Sequence, residues 1–152
     1  MAQGALLVYD CRRQARKRGL VILGTRKIWD SSLAAIGMLW AKRQGKHQFR
    51  AYHDRVFERF WRRELDIEDV EAIAAVLSEV HADRTGFRGF LAGAGRIELD
   101  TIRESAEAAG VFGVPSFIVE GELFWGREHL SDIREKLAPM ARNNPVRARP
   151  SC

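Results

Sequence analysis

Val111-Phe112-Gly113-Val114-Pro115-Ser116-Phe117-Ile118-Val119-Glu120-Gly121-Glu122-Leu123-Phe124-Trp125-Gly126 is the stretch on which the fold turns. Here helical spacing gives way to β-branched and aromatic runs. Ser116–Val119 reads as one strand, Glu120-Gly121 as a tight turn, and Leu123-Phe124-Trp125 as the returning strand of a hairpin. Gly126 breaks that strand. From about 127 to 140, Leu130, Ile133 and Leu137 recur at the spacing of a last amphipathic helix. Pro115, which has no N–H to give to a ladder, stands just ahead of the first strand. A lone hairpin is marginal in water, and both strands are apolar at most positions, as if each expects a covered face.

Working back toward the N-terminus, everything reads as helix. Residues 4–18 form one, stopped by Gly19 where a left-handed cap is wanted. Leu20-Val21-Ile22-Leu23 is either a brief strand or an extended connector. Asp30-Ser31-Ser32 offers side-chain acceptors to a helix that runs to about Gln44, buries Leu33, Ile36, Leu39 and Trp40, and ends at Gly45. The strongest periodicity spans about His47 to Arg63, with Phe49, Tyr52, Val56, Phe57, Phe60 and Trp61 on one stripe. Asp66 with Asp69 resembles a cap for a helix carrying Val70, Ile73, Leu77 and Val80. A further helix over roughly 95–109 ends at Gly110. Beyond 140, Pro145, Pro150 and three arginines mark a frayed tail.

The chain has 152 residues, 46% of them hydrophobic, which suits one domain of ordinary size and is too apolar for a disordered chain. No apolar run approaches the ~20 residues of a membrane-spanning helix. The start shows no secretory signal, and two distant cysteines, Cys11 and Cys152, make a cytoplasmic location the expectation. The net charge of +5 hides an asymmetry: residues 1–63 carry 15 Lys/Arg against 4 Asp/Glu, and residues 64–152 carry 10 against 16. The basic half reads as a solvated face, because its arginines lie opposite an apolar stripe and lack interleaved stacking aromatics. Nucleic acid and membrane are not expected partners.

Taken together, Gly110-Val111-Phe112-Gly113-Val114-Pro115-Ser116-Phe117-Ile118-Val119 and Glu122-Leu123-Phe124-Trp125-Gly126 resemble the second half of a thioredoxin fold. More specifically, they resemble the DsbA-like family that includes 2-hydroxychromene-2-carboxylate isomerase and the kappa-class glutathione transferases. Phe60-Trp61-Arg62-Arg63-Glu64-Leu65-Asp66-Ile67 is similar to part of that family's helical insertion, and the likeness covers roughly residues 5–137. It implies an α/β chain with a partial thioredoxin-like fold and a large all-helical insertion. Residues 1–110 would be the mainly helical insertion subdomain, 111–140 the C-terminal half of the thioredoxin-like domain, and 141–152 a flexible tail.

The resemblance also implies a site. A cis Val114–Pro115 bond would turn the main chain of Val114 outward, its N–H and C=O free to pair with an extended peptide such as glutathione. The loop Gly126-Arg127-Glu128 would take the γ-glutamyl end, Glu128 meeting an amino group and Arg127 a carboxylate. Helix starts suit such charges, although this loop departs from the family's usual Gly-Gln/Ser-Asp-Arg. The family's nucleophile, a serine or Cys-x-x-Cys, follows a strand and opens a helix, where a thiolate is stabilised; it is expected upstream of Met1, leaving the catalytic residue unknown. Cys11, in mid-helix, is no substitute.

The implied activity is a glutathione-dependent isomerase acting on a small aromatic substrate, with glutathione as the cofactor. A DsbA-like thiol–disulfide oxidoreductase with a thiol substrate is the enzymatic alternative, and a non-catalytic interaction module is the alternative from another class; whether this chain is an active enzyme stays open. A homodimer is among the expected assemblies. His47 and His53, six apart, do not share a helical face, so no metal is expected. Tyr52, Phe57, Phe60 and Trp61 are expected in the core, Asp30 as a cap, and Trp125 either at a pocket mouth or beneath the hairpin.

Overall fold

The computed structural model describes residues 2–143. Six helices come first: α1 (Ala2–Arg16), α2 (Ser32–Gln44), α3 (Lys46–Trp61), α4 (Val70–Glu79), α5 (Arg84–Ala92) and α6 (Ala94–Ala108). The hairpin β1 (Ser116–Val119) and β2 (Glu122–Trp125) follows, then a single 3-10 turn, Arg127–His129, and α7 (Leu130–Asn143). The chain divides into two compact units, Met1–Thr101 and Ile102–Cys152, with the boundary inside α6. The tail from residue 144, Cys152 included, lies outside the described residues. Among the described residues no helix is long and apolar enough to cross a membrane.

In the first unit, capping decides where helices begin. Asp69 accepts from the Glu71 and Ala72 amides at the start of α4, and Asp83 from the Thr85 and Gly86 amides at the start of α5. At α2 the acceptor is Asp30, whose Oδ1 takes the Ser32 N–H at 2.8 Å, while Ser31 makes no side-chain cap. The end of α3 is held by a left-handed residue that is not glycine: Arg63 has φ 61°, and Glu64 N–H reaches back to the Arg59 carbonyl at 2.8 Å. Leu20–Leu23 is a connector rather than a strand. Its end is tied to the helices, Leu23 N–H donating to Trp61 and the Leu23 carbonyl receiving Arg12 and Arg63.

Two expectations need correction. α5 was not anticipated, because Gly86 and Gly89 sit among Phe87, Phe90 and Leu91 and lower the helix propensity of so short a segment. Phe57 is 51% exposed and stacks on His53 rather than entering the core. Residues 49, 52, 56 and 60 follow helical spacing, whereas 57 lies about 100° round from 56. The core proper holds Tyr52, Ile73, Val76, Leu77 and Phe87, all practically without exposed surface. The Tyr52 hydroxyl donates to the Ala34 carbonyl at 3.0 Å, and burial pushes its pKa up, so it remains a neutral donor.

In the second unit the chain turns out of α6 at Gly110, φ 80°, with Val111 N–H bonded back to the Ala106 carbonyl at 3.0 Å. The hairpin is antiparallel, pairing Ser116 with Trp125 and Val119 with Glu122. Its two-residue turn has positive φ at both positions, 51° at Glu120 and 81° at Gly121, as a turn matched to strand twist demands. On α7 Ile133 is buried, whereas Leu130 and Leu137 stay exposed.

Candidate functional site

The register of the hairpin brings the sequence-derived site residues together. Because Ser116 faces Trp125, the segment entering β1 and the segment leaving β2 emerge at the same end. Gly126 N–H donates to the Pro115 carbonyl at 2.9 Å and clasps the two. Val114, Pro115, Gly126, Arg127 and Glu128 therefore share one locality in the second unit.

The Val114–Pro115 peptide bond is cis. Ser116 Oγ donates to the Gly113 carbonyl at 2.5 Å and closes the bend. Val114 itself projects into solvent, 89% exposed. Among the described residues neither its N–H nor its C=O has a hydrogen-bond partner. Beside this bend the Trp125 indole lies against Gly113, where an added Cβ would stand 2.6 Å from Nε1. Phe112 meets the same indole at 5.2 Å between ring centroids. Both rings are substantially exposed, so they form an apolar wall rather than a core beneath the hairpin.

On the other strand's exit, Gly126 has φ 99°, a conformation that L side chains rarely adopt. A Cβ there would also come within 2.5 Å of the Glu128 carboxylate carbon, so the acid folds back over the glycine. The Glu128 carboxylate has no ion-pair partner among the described residues, whereas Arg127 is already engaged. His129 Nδ1 donates to Asp132 at 3.1 Å, and Lys136 pairs with Glu122. Chemically, the locality offers an unspent main-chain donor and acceptor, an apolar wall and an unpaired carboxylate. That set suits a short peptide with a free amino group.

The remaining candidates lie elsewhere. Cys11 is exposed on α1, and His53 pairs with Asp54 at 3.1 Å on α3. No group of three metal-ligating side chains occurs among the described residues. Phe112 and Ser116 were missed as contributors. The signal was a glycine and a serine bracketing Val114-Pro115, small residues where a bend and an indole approach.

A family model described as DSBA-like thioredoxin domain matches residues 2–138. The 2-hydroxychromene-2-carboxylate isomerase of Pseudomonas putida is 27% identical over 140 residues, which is 91% of this chain and 67% of that protein. The protein of the same name from Sphingobium xenophagum is 27% identical over 95 residues, 62% of this chain and 49% of that protein. The matches thus span about half to two thirds of those relatives. Among solved structures, the selenomethionine form of a 2-hydroxychromene-2-carboxylate isomerase aligns with a TM-score of 0.76 at 24% identity. That alignment covers 95% of this chain and 70% of the other. At this identity the likeness is one of fold: mostly helical, with the small hairpin, in the thioredoxin-like manner.

Proposed function

The chain belongs to the DSBA-like thioredoxin domain family, and from that membership we propose that it is a glutathione-dependent isomerase of the 2-hydroxychromene-2-carboxylate type. The observation that carries the reading is the unspent main chain of Val114 beside the Glu128 carboxylate. In this reading the cysteinyl main chain of glutathione pairs with Val114 in the manner of an added strand, and Glu128 receives the γ-glutamyl ammonium. Phe112 and Trp125 shelter the apolar part of the second reactant.

The reaction is a reversible addition. The ligand's thiolate bonds to one carbon of the substrate's double bond, a proton joins the other side of the conjugated system, and the former double bond rotates. Expulsion of the thiolate and loss of that proton restore the double bond in the new geometry, so glutathione is regenerated. Val114 and Glu128 bind and orient; the gain from such positioning is entropic. Calorimetric titration with reduced glutathione tests the reading. Saturable binding that weakens for cysteinylglycine, which lacks the γ-glutamyl group, supports it, and no saturable heat at millimolar glutathione sinks it. Equal affinity for unrelated cysteine peptides favours thiol–disulfide exchange instead.

A further inference from the structure

A cavity of about 280 Å³ opens in the helical unit between the 24–29 loop and the end of α3. That is near the lower bound of roughly 300 Å³ for small-molecule sites. Two half-buried rings line it, Trp29 and Phe60, meeting edge to face at 5.9 Å. Its frame is tied rather than loose: the Arg63 guanidinium donates to the Leu23 and Gly24 carbonyls at 2.8 and 3.1 Å.

Most charges around this cavity are already spent. Lys27 pairs with Glu68 at 2.5 Å and sits over the Trp29 ring. Asp66 Oδ1 accepts the Glu68 N–H at 2.9 Å. Three lining side chains differ: Thr25, Arg26 and Glu64 have no side-chain partner among the described residues. Arg26 and Glu64 line the same cavity without pairing with each other. One cation and one anion without a side-chain partner among the described residues therefore line a single cavity beside two aromatic rings.

We infer that this cavity binds a small zwitterion carrying a flat ring, in chemical class an aromatic α-amino acid. Arg26 takes the carboxylate, for which its planar fork is suited, and Glu64 takes the ammonium. The ring lies against Trp29 and Phe60, and Thr25 supplies a hydroxyl at the rim. A ligand with one charge leaves either Arg26 or Glu64 unanswered. Because both side chains are exposed, each pairing contributes modestly and ring contact supplies the rest.

The test follows the Trp29 indole N–H by NMR while the protein is titrated with L-phenylalanine, 3-phenylpropionate, phenethylamine and L-alanine. L-Phenylalanine should shift that resonance saturably, and each singly charged analogue should bind about threefold to fivefold more weakly. Arg26→Gln should lower phenylalanine affinity to that of phenethylamine, and Glu64→Gln should lower it to that of 3-phenylpropionate. Both residues are exposed and unpartnered, so a thermal melt should show the fold intact. Three results overturn the inference: no saturable shift at Trp29, equal affinity for all three aromatic probes, or indifference to both substitutions. None of these residues belongs to the proposed glutathione site, so glutathione titration of the same variants separates failure of one reading from failure of the other.

Discussion

In the helical unit Tyr52, Ile73, Val76, Leu77 and Phe87 give up practically all of their surface, and apolar residues of α2 to α5 interlock around them. In the unit that carries the hairpin, Ile133 is alone among the described residues in being buried, while Phe112, Val114, Ile118 and Trp125 face water. One region invests its apolar residues in cohesion, and the other displays them. Exposed apolar residues grouped beside an uncommitted main chain mark a surface for binding, whereas dispersed ones do not. The contrast separates where stability resides from where the proposed recognition would take place.

The comparison can be broken most decisively in the core. Phe87→Ala should cost about 3–5 kcal/mol and lower the thermal midpoint sharply. A small shift in a denaturant melt would mean the helical core is not the seat of stability. Gly37→Ala comes next. An added Cβ would lie 2.9 Å from Ile73 Cγ2, and overpacking of that kind costs about 1–3 kcal/mol. In the hairpin unit, Gly126→Ala carries about 1–3 kcal/mol of backbone strain, because φ 99° with ψ 160° is a region essentially reserved for glycine. Its effect should surface as faster hydrogen exchange of hairpin amides and weaker glutathione binding. Tyr52→Phe removes the bond to the Ala34 carbonyl and should cost about 1 kcal/mol in the melt.

The smallest effect concerns acid. A hydrogen bond from Lys27, then one from the Asp30 N–H, holds the Glu68 carboxyl below the usual carboxylate range. A lowered folded-state pKa means that its contribution is present above the unfolded value and lost as pH falls through the folded one. Glu68→Gln should therefore lower stability slightly at neutral and alkaline pH, flatten the acid limb, and leave stability below the folded-state pKa and the slope of the alkaline limb unchanged. An altered slope of the alkaline limb would contradict that sign.

The hairpin and the main core helix were legible in residue order. Alternating β-branched and aromatic residues around Glu120-Gly121 announce the hairpin, and the spacing of Tyr52, Val56 and Phe60 announces α3. α5 was hidden because one of its glycines, Gly86, answers to a neighbour distant in sequence. A Cβ at Gly86 would come within 2.7 Å of the Trp40 ring, and Trp40 Nε1 in turn donates to the Asp83 carbonyl at 2.6 Å. The site was only partly readable for a similar reason. Proline and glycine flag the bends at 115 and 126, but the packing of Trp125 on Gly113 depends on cross-strand register, which no local window contains.

The two-residue turn at Glu120-Gly121 acts as a ruler. With four residues per strand and no slack at the tip, the separation between Val114 and Glu128 along the chain is fixed at fourteen positions. An inserted residue in either strand would swing Trp125 to the opposite side of the ribbon and carry the 126–128 loop away from the Pro115 carbonyl. Under the proposed reading length becomes a coordinate of function, so homologous chains that keep this apparatus should vary in the letters of the hairpin before they vary in its count.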